Sequence, residues 1–196
     1  MNQFYRKYFK RNLDFLLSSV LLLLSSPLFM MVTIAIKLTS RGPIFFTQER
    51  AGLHEKPFKI YKFRSMRVQQ EDPTLQAFLD DPRITRVGYI IRRFKIDELP
   101  QLWNVFIGDM SLVGPRPTLE DQKAEYTPHQ MVRYNVRPGL TGWAQVNGNI
   151  KLSVHDRREH DVYYVEHLSL WLDFKILLMT VSVVLFGEKV RNRGNV

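Results

Sequence analysis

The sequence predicts an α+β fold: an N-terminal membrane helix, a small β-hairpin, several further helices and an interfacial amphipathic helix. Three observations predict it. Residues 15–36 (FLLSSVLLLLSSPLFMMVTIAI) carry no charge. Two aromatic and β-branched segments, 43–50 and 57–64, flank a turn. The rest alternates apolar residues at helical spacing with Gly/Pro-rich loops.

The apolar run comes first. At about 1.5 Å per residue it reaches roughly 33 Å, one hydrocarbon thickness. It is too long for the core of a signal peptide, and no small-residue cleavage site follows before Lys37. Both flanks are basic: Arg6, Lys7, Lys10 and Arg11 before it, Lys37 and Arg41 after it. The positive-inside rule puts both ends on the cytoplasmic side, which a straight span cannot do. Ser25, Ser26 and Pro27 sit mid-run. Pro27 should bend the helix, and the serine hydroxyls can take up the freed carbonyls. A helix that enters, kinks at Ser26-Pro27 and returns fits both facts. Prolines are common in membrane helices, so the residues alone leave an ordinary span standing beside it.

Residues 43–50 and 57–64 form a hairpin around Gly52 and 54–57. Residues 68–83, polar with two prolines, read as a loop or short helix. Residues 84–96 place Val87, Ile90, Ile91 and Phe94 on one helical stripe, with Arg86, Arg92, Arg93 and Lys95 mostly off it. Asp97 then reads as an N-cap with Pro100 in the first turn. Leu99, Leu102, Trp103 and Phe106 form the expected buried face. Residues 108–118 read as a structured loop, 119–134 as a helix, 135–149 as loop and 151–168 as a polar helix. Residues 170–186 are apolar but interrupted by Asp173 and Lys175. Trp171 and Lys175 suit a helix lying on a membrane surface; a buried core helix fits the pattern equally well.

The net charge is +9 and the pI about 9.9. That excess calls for a polyanionic partner: nucleic acid, an acidic lipid surface or phosphorylated substrates. With no cysteine, disulfides and thiolate metal sites are excluded.

Asp97-Glu98 follows a cluster of cations, Arg92, Arg93 and Lys95. Adjacent carboxylates at a helix start can hold a hard divalent ion; they are also ordinary helix-start residues. Pro115-Arg116-Pro117 fixes the backbone on either side of one arginine, the side chain suited to bidentate phosphate recognition. The loop 137–148 (RPGLTGWAQVNG) joins Arg137 and an aromatic ring to the amides of Gln145 and Asn147, a set able to bind a base and a phosphate. His155 and His160 stand five apart on one helix, on different faces, so a metal site there is disfavoured against a solvated polar face. The basic residues 83–95 could bind nucleic acid, but beside an apolar segment lipid headgroups or phosphorylated substrates are the better partners.

Taken together, KRNLDFLLSSVLLLLSSPLF, GPIFFTQERAG, FKIYKFRSM, IRRFKIDELPQLWNVFIGDMSLVGPRP, VRPGLTGWAQVNG and DVYYV resemble the monotopic phosphoglycosyl transferases, the bacterial sugar transferase family, in its minimal catalytic form. The resemblance implies two parts. Residues 1–40 would be a re-entrant membrane helix breaking at Ser26-Pro27, with both ends cytoplasmic. Residues 41–196 would be a cytoplasmic catalytic domain including the interfacial helix 170–186, at the inner face of a bacterial cytoplasmic membrane. Asp97 would be the nucleophile, and Asp97 and Glu98 would hold Mg²⁺. Lys62, Arg64, Arg92, Pro115, Arg116, Arg137, Gln145 and Asn147 would contact substrate. The donor would be a UDP-sugar, the acceptor undecaprenyl phosphate, and UMP the product of a covalent aspartyl step opening a glycoconjugate pathway. Membrane phospholipids are expected partners, nucleic acid is not, and a homo-oligomer is left open. The competing reading is a non-catalytic, membrane-tethered assembly factor for surface polysaccharide, which would not need the acidic pair.

Overall fold

The computed structural model describes residues 4–67 and 81–186. A π-helical turn, Tyr5–Phe9, leads into α1, Lys10–Thr39. The chain stays helical through Pro27. Proline cannot donate to the carbonyl four residues back. Here Ser26 Oγ donates to that carbonyl, Leu23 O, at 2.8 Å, and Ser25 Oγ to Leu21 O at 2.6 Å. One stripe of α1 packs inward: Lys10, Asp14, Ser18, Val32 and Ile36 are buried, and Leu22, Leu28 and Phe29 partly so. Leu16, Leu23, Leu24, Met30, Met31 and Leu38 stay exposed on the other faces.

Strands β1 (Phe45–Ala51) and β2 (Pro57–Phe63) form the expected antiparallel hairpin, with Gln48 opposite Ile60. Most of the predicted loop 68–83 lies outside the described residues. Helix α2, Arg86–Arg93, is shorter than expected. Thr85 caps it, accepting from Gly88 N at 2.8 Å, and Lys95 in the left-handed region (φ 57°) ends it. Of its stripe, Ile91 is buried and Val87 half-buried, while Ile90 and Phe94 are exposed.

Helix α3, Gln101–Ile107, ends at Gly108, whose φ of 99° suits a glycine C-cap. Leu102 is buried, but Trp103, expected on the buried face, is exposed and stacks on Phe106, which stacks in turn on Phe15 of α1. The two expected loops hold a parallel strand pair, β3 (Ser111–Val113) and β4 (Gly139–Thr141), followed by a one-turn helix α4, Trp143–Val146. The helix expected over 119–134 is instead two 3₁₀ turns, Asp121–Glu125 and Gln130–Asn135. Pro128 lies between them and disfavours helical backbone at Thr127.

Helix α5, Val154–Glu166, lies inside the expected 151–168 segment and starts later than expected, where Ser153 Oγ accepts from Asp156 N. Helix α6 covers Leu170–Phe186. One side of α6 enters the core through Leu172 and Ile176, beside Val105, Met110, Val113 and Tyr164. Its other side exposes Trp171, Phe174, Leu178, Val181 and Leu185. Asp173, which interrupts the apolar run, is buried. It accepts from Lys10 Nζ at 2.5 Å, Tyr5 OH at 2.8 Å and Tyr164 OH at 2.8 Å. A buried carboxylate needs such partners. This one ties the start of α1 to α5 and α6.

Candidate active site

Asp97 and Glu98 lie on a 3₁₀ turn, Ile96–Glu98, between α2 and α3. Pro100, not Asp97, takes the N-cap position of α3. The expected N-cap role fails because the left-handed Lys95 turns the chain one step earlier: Glu98 N donates to Lys95 O at 3.2 Å, and Leu99 N to Ile96 O at 3.1 Å. The acidic pair is thus held on a tight corner rather than at the mouth of a helix.

The two carboxylates have different surroundings. Glu98 Oε1 accepts from Lys62 Nζ of β2 at 2.7 Å and from an Arg116 guanidinium nitrogen at 2.6 Å; the second Arg116 nitrogen lies 3.4 Å from Oε2. Burial opposes ionisation of Glu98, but Arg116 and Lys62 outweigh it and hold the carboxyl well below its ordinary range. Asp97 receives no side-chain hydrogen bond among the described residues. Burial first, and the Glu98 charge second, push its pKa up to about 6, against the pull of Lys62, Arg92 and Lys95. Neighbouring acids driven apart in this way are a mark of divided chemical roles.

Arg116 is presented by a loop pinned on two sides. Gly114 N donates to Thr141 O at 2.9 Å and Gly139 N to Pro115 O at 2.8 Å, beside the β3–β4 pair. The two segments approach so closely that a Cβ on Gly139 would stand 2.1 Å from Gly114 N, so only glycine fits there. On the other side Ala51 N, at the end of β1, donates to Thr118 O at 2.9 Å. Beneath the loop, buried Arg133 donates to Arg116 O at 2.5 Å and pairs with Asp161 at 3.0 Å. A small, shallow pocket opens beside it, lined by Gly52, Pro115, Arg116, Thr118, Arg133 and Tyr134 among others.

A corner carrying two differentiated acids, ringed by cations and flanked by a rigid arginine loop, is suited to substitution at phosphorus. The bacterial sugar transferase family model matches residues 5–187. The chain belongs to that family. It is 45% identical over 188 residues to the uncharacterized sugar transferase EpsL of Bacillus subtilis (strain 168), covering 95% of this chain and 92% of that protein. It is 46% identical over 191 residues to the UDP-N-acetylgalactosamine-undecaprenyl-phosphate N-acetylgalactosaminephosphotransferase of Aeromonas hydrophila, covering 94% of this chain but 45% of that protein. It is 43% identical over 181 residues to the UDP-glucose:undecaprenyl-phosphate glucose-1-phosphate transferase of Escherichia coli (strain K12), covering 88% and 39%. The chain therefore spans nearly all of the first and under half of the other two. Family membership makes it a transferase and leaves the non-catalytic tether without support.

The acidic corner gathers only part of the predicted residue set. Lys62 and Arg116 meet at Glu98, Arg92 acts on Asp97 through its charge, and Pro115 lines the pocket. Arg64 is buried elsewhere: it donates to Arg41 O and Ser40 O, closing the end of α1. Arg137 Nε donates to Gly108 O at the end of α3. Gln145 donates to Leu140 O and Asn147 to Trp143 O. These amides brace the 137–148 loop against itself.

Two residues escaped the sequence reading: Arg50 and Arg133. Nothing local marks Arg133. Arg50 carried a usable signal, since it alternates with Gln48 and Phe46 along one face of a recognised strand.

The acidic pair fits a small hard cation. Among the described residues Asp97 accepts no side-chain hydrogen bond and Glu98 Oε2 has only its long arginine contact, and the two like charges oppose each other. Among the described residues no group of three or more acidic or histidine side chains could hold a metal. An ion here would be completed by water and substrate phosphate, the usual habit of Mg²⁺.

Proposed function

We propose that the protein transfers a sugar 1-phosphate from a UDP-sugar to undecaprenyl phosphate, releasing UMP, through a covalent intermediate on Asp97. The observation that carries this reading is the contrast between Glu98, bound by two cations, and Asp97, bound by none among the described residues. An acid that already holds two charge-assisted partners is a poor nucleophile. Its neighbour, unpartnered and with a raised pKa, is the better one. The names of the relatives supply the substrate classes.

In the first step an Asp97 carboxylate oxygen bonds to the phosphorus next to the sugar. The bond from that phosphorus to the bridging oxygen breaks, and UMP departs with the electron pair. In the second step a phosphate oxygen of the lipid attacks the same phosphorus, and the acyl-phosphate bond breaks to regenerate Asp97. Arg116 and Lys62 keep Glu98 ionised and offset the charge of the diphosphate. Mg²⁺ held by Asp97 and Glu98 would supply further charge neutralisation.

The acceptor's phosphate lies at headgroup depth, and the molecule suits that level. The inward stripe of α1 meets the rest of the chain at both ends: Asp14 Oδ1 accepts from Leu112 N at 3.0 Å, and Ile36 packs with Phe63 and Ile91. This supports a re-entrant α1 whose two basic flanks share the cytoplasmic face. The exposed side chains of Ile90, Phe94, Trp103 and Ile107 and the outer face of α6 are the accompanying interfacial surface. A panel of UDP-sugars assayed with undecaprenyl phosphate tests the proposal: one donor should yield UMP and a lipid diphosphate sugar. Lipid glycosylation with release of UDP would refute it.

A further inference from the structure

Arg50 is a cation that the two-acid mechanism does not use. It shares one face of the hairpin with Gln48 and, on the partner strand, with Phe58, Ile60 and Lys62. That face looks toward the acidic corner, because Lys62 grips Glu98. Gln48 Oε1 accepts from Arg50 at 2.6 Å and fixes the guanidinium, while its Nε is buried without a hydrogen-bond partner. Among the described residues no carboxylate forms an ion pair with Arg50; Asp121 and Glu98 act on it only through space. Burial and the nearby Arg116 charge lower its pKa to about 10, so it stays protonated at neutral pH. The next residue, Ala51, is bonded to the Arg116 loop and lines the pocket beside it.

Lys62 and Arg116 are already matched to Glu98. Arg50 is a half-buried positive charge held in position near them, with its Nε buried and no ion-paired carboxylate among the described residues. Such a site costs desolvation and is set to receive an anion from outside. We propose that Arg50 is a substrate-binding residue that takes the phosphate leaving with the nucleotide. This rests on the transferase reading above. When the bond from the sugar-side phosphorus to the bridging oxygen breaks, that oxygen leaves with the electron pair on the nucleotide phosphate, which gains a negative charge, and Arg50 offers the fork geometry that binds it.

The test is calorimetric titration of UMP, and separately of uridine, into the detergent-solubilised full chain, as wild type, Arg50→Ala and Arg50→Lys. The Arg50→Ala variant should bind UMP about tenfold to a hundredfold more weakly. Uridine affinity and the KM for undecaprenyl phosphate should hold. Arg50→Lys, which keeps charge but loses the fork, should fall between, and it provides the reading if Arg50→Ala does not fold. Unchanged UMP affinity in the variants would overturn the assignment, as would equal losses for UMP and uridine. Wild-type protein that releases UMP from no UDP-sugar and binds no UMP would overturn the transferase proposal as well.

Discussion

Lys62 Nζ lies 2.7 Å from Glu98 Oε1, and this contact separates the two neighbouring acids. Lys62 and Arg116 hold Glu98 as a carboxylate, while among the described residues Asp97 has through-space charges alone.

The pH profile should report that separation. Asp97 must be ionised to attack, and its pKa is raised to about 6. The kcat/KM for donor should therefore fall about tenfold per pH unit below roughly pH 6 and level off above it. Lys62 favours the ionised form, so Lys62→Met should move this limb to higher pH. A limb that stays in place, measured by UMP release across pH 4.5–8, would detach Lys62 from the nucleophile.

Arg116→Lys should cost about a hundredfold in turnover. Lysine keeps the charge but cannot reach both Glu98 and a phosphate with one planar fork. Steady-state UMP release measures this, and a loss under threefold would reduce Arg116 to a loop residue.

Asp173→Asn should destabilise the protein without touching the chemistry. It strands the Lys10 ammonium, which is 10% exposed, beside two tyrosine hydroxyls. Breaking such a pair costs about 3 kcal/mol. Thermal unfolding in detergent should show the midpoint lowered by about 6–12 °C.

Chelation should stop turnover, and added Mg²⁺ should restore it. Full UMP release in excess EDTA would remove the ion from Asp97 and Glu98.

What the sequence revealed follows how local each signal is. The hairpin announced itself through two aromatic and β-branched segments around a turn, and α5 lies within the polar helix expected over 151–168. Asp97 and Glu98 stood out as neighbours, but their difference did not. The partners of Glu98 come from positions 62 and 116, and only the folded chain brings them together. Asp173 was read as a charge unsuited to a membrane span, and it is a buried anchor instead. The strands β3 and β4 were hidden because three-residue segments are too short to carry a periodicity. Residues 119–134 have helical composition, but Pro128 and the ties of Arg133 to Arg116 and Asp161 prevail. Arg137, Gln145 and Asn147 have the chemistry of a binding loop, and their side chains hold backbone carbonyls.

The most direct measurement is intact mass spectrometry of the protein mixed with a productive UDP-sugar in the absence of lipid acceptor. The account predicts a mass increase of one sugar phosphate, located on Asp97, with release of UMP, and its complete absence in Asp97→Asn. An unmodified wild-type protein that turns over normally once acceptor is added, together with an Asp97→Asn variant that still releases UMP, would contradict it.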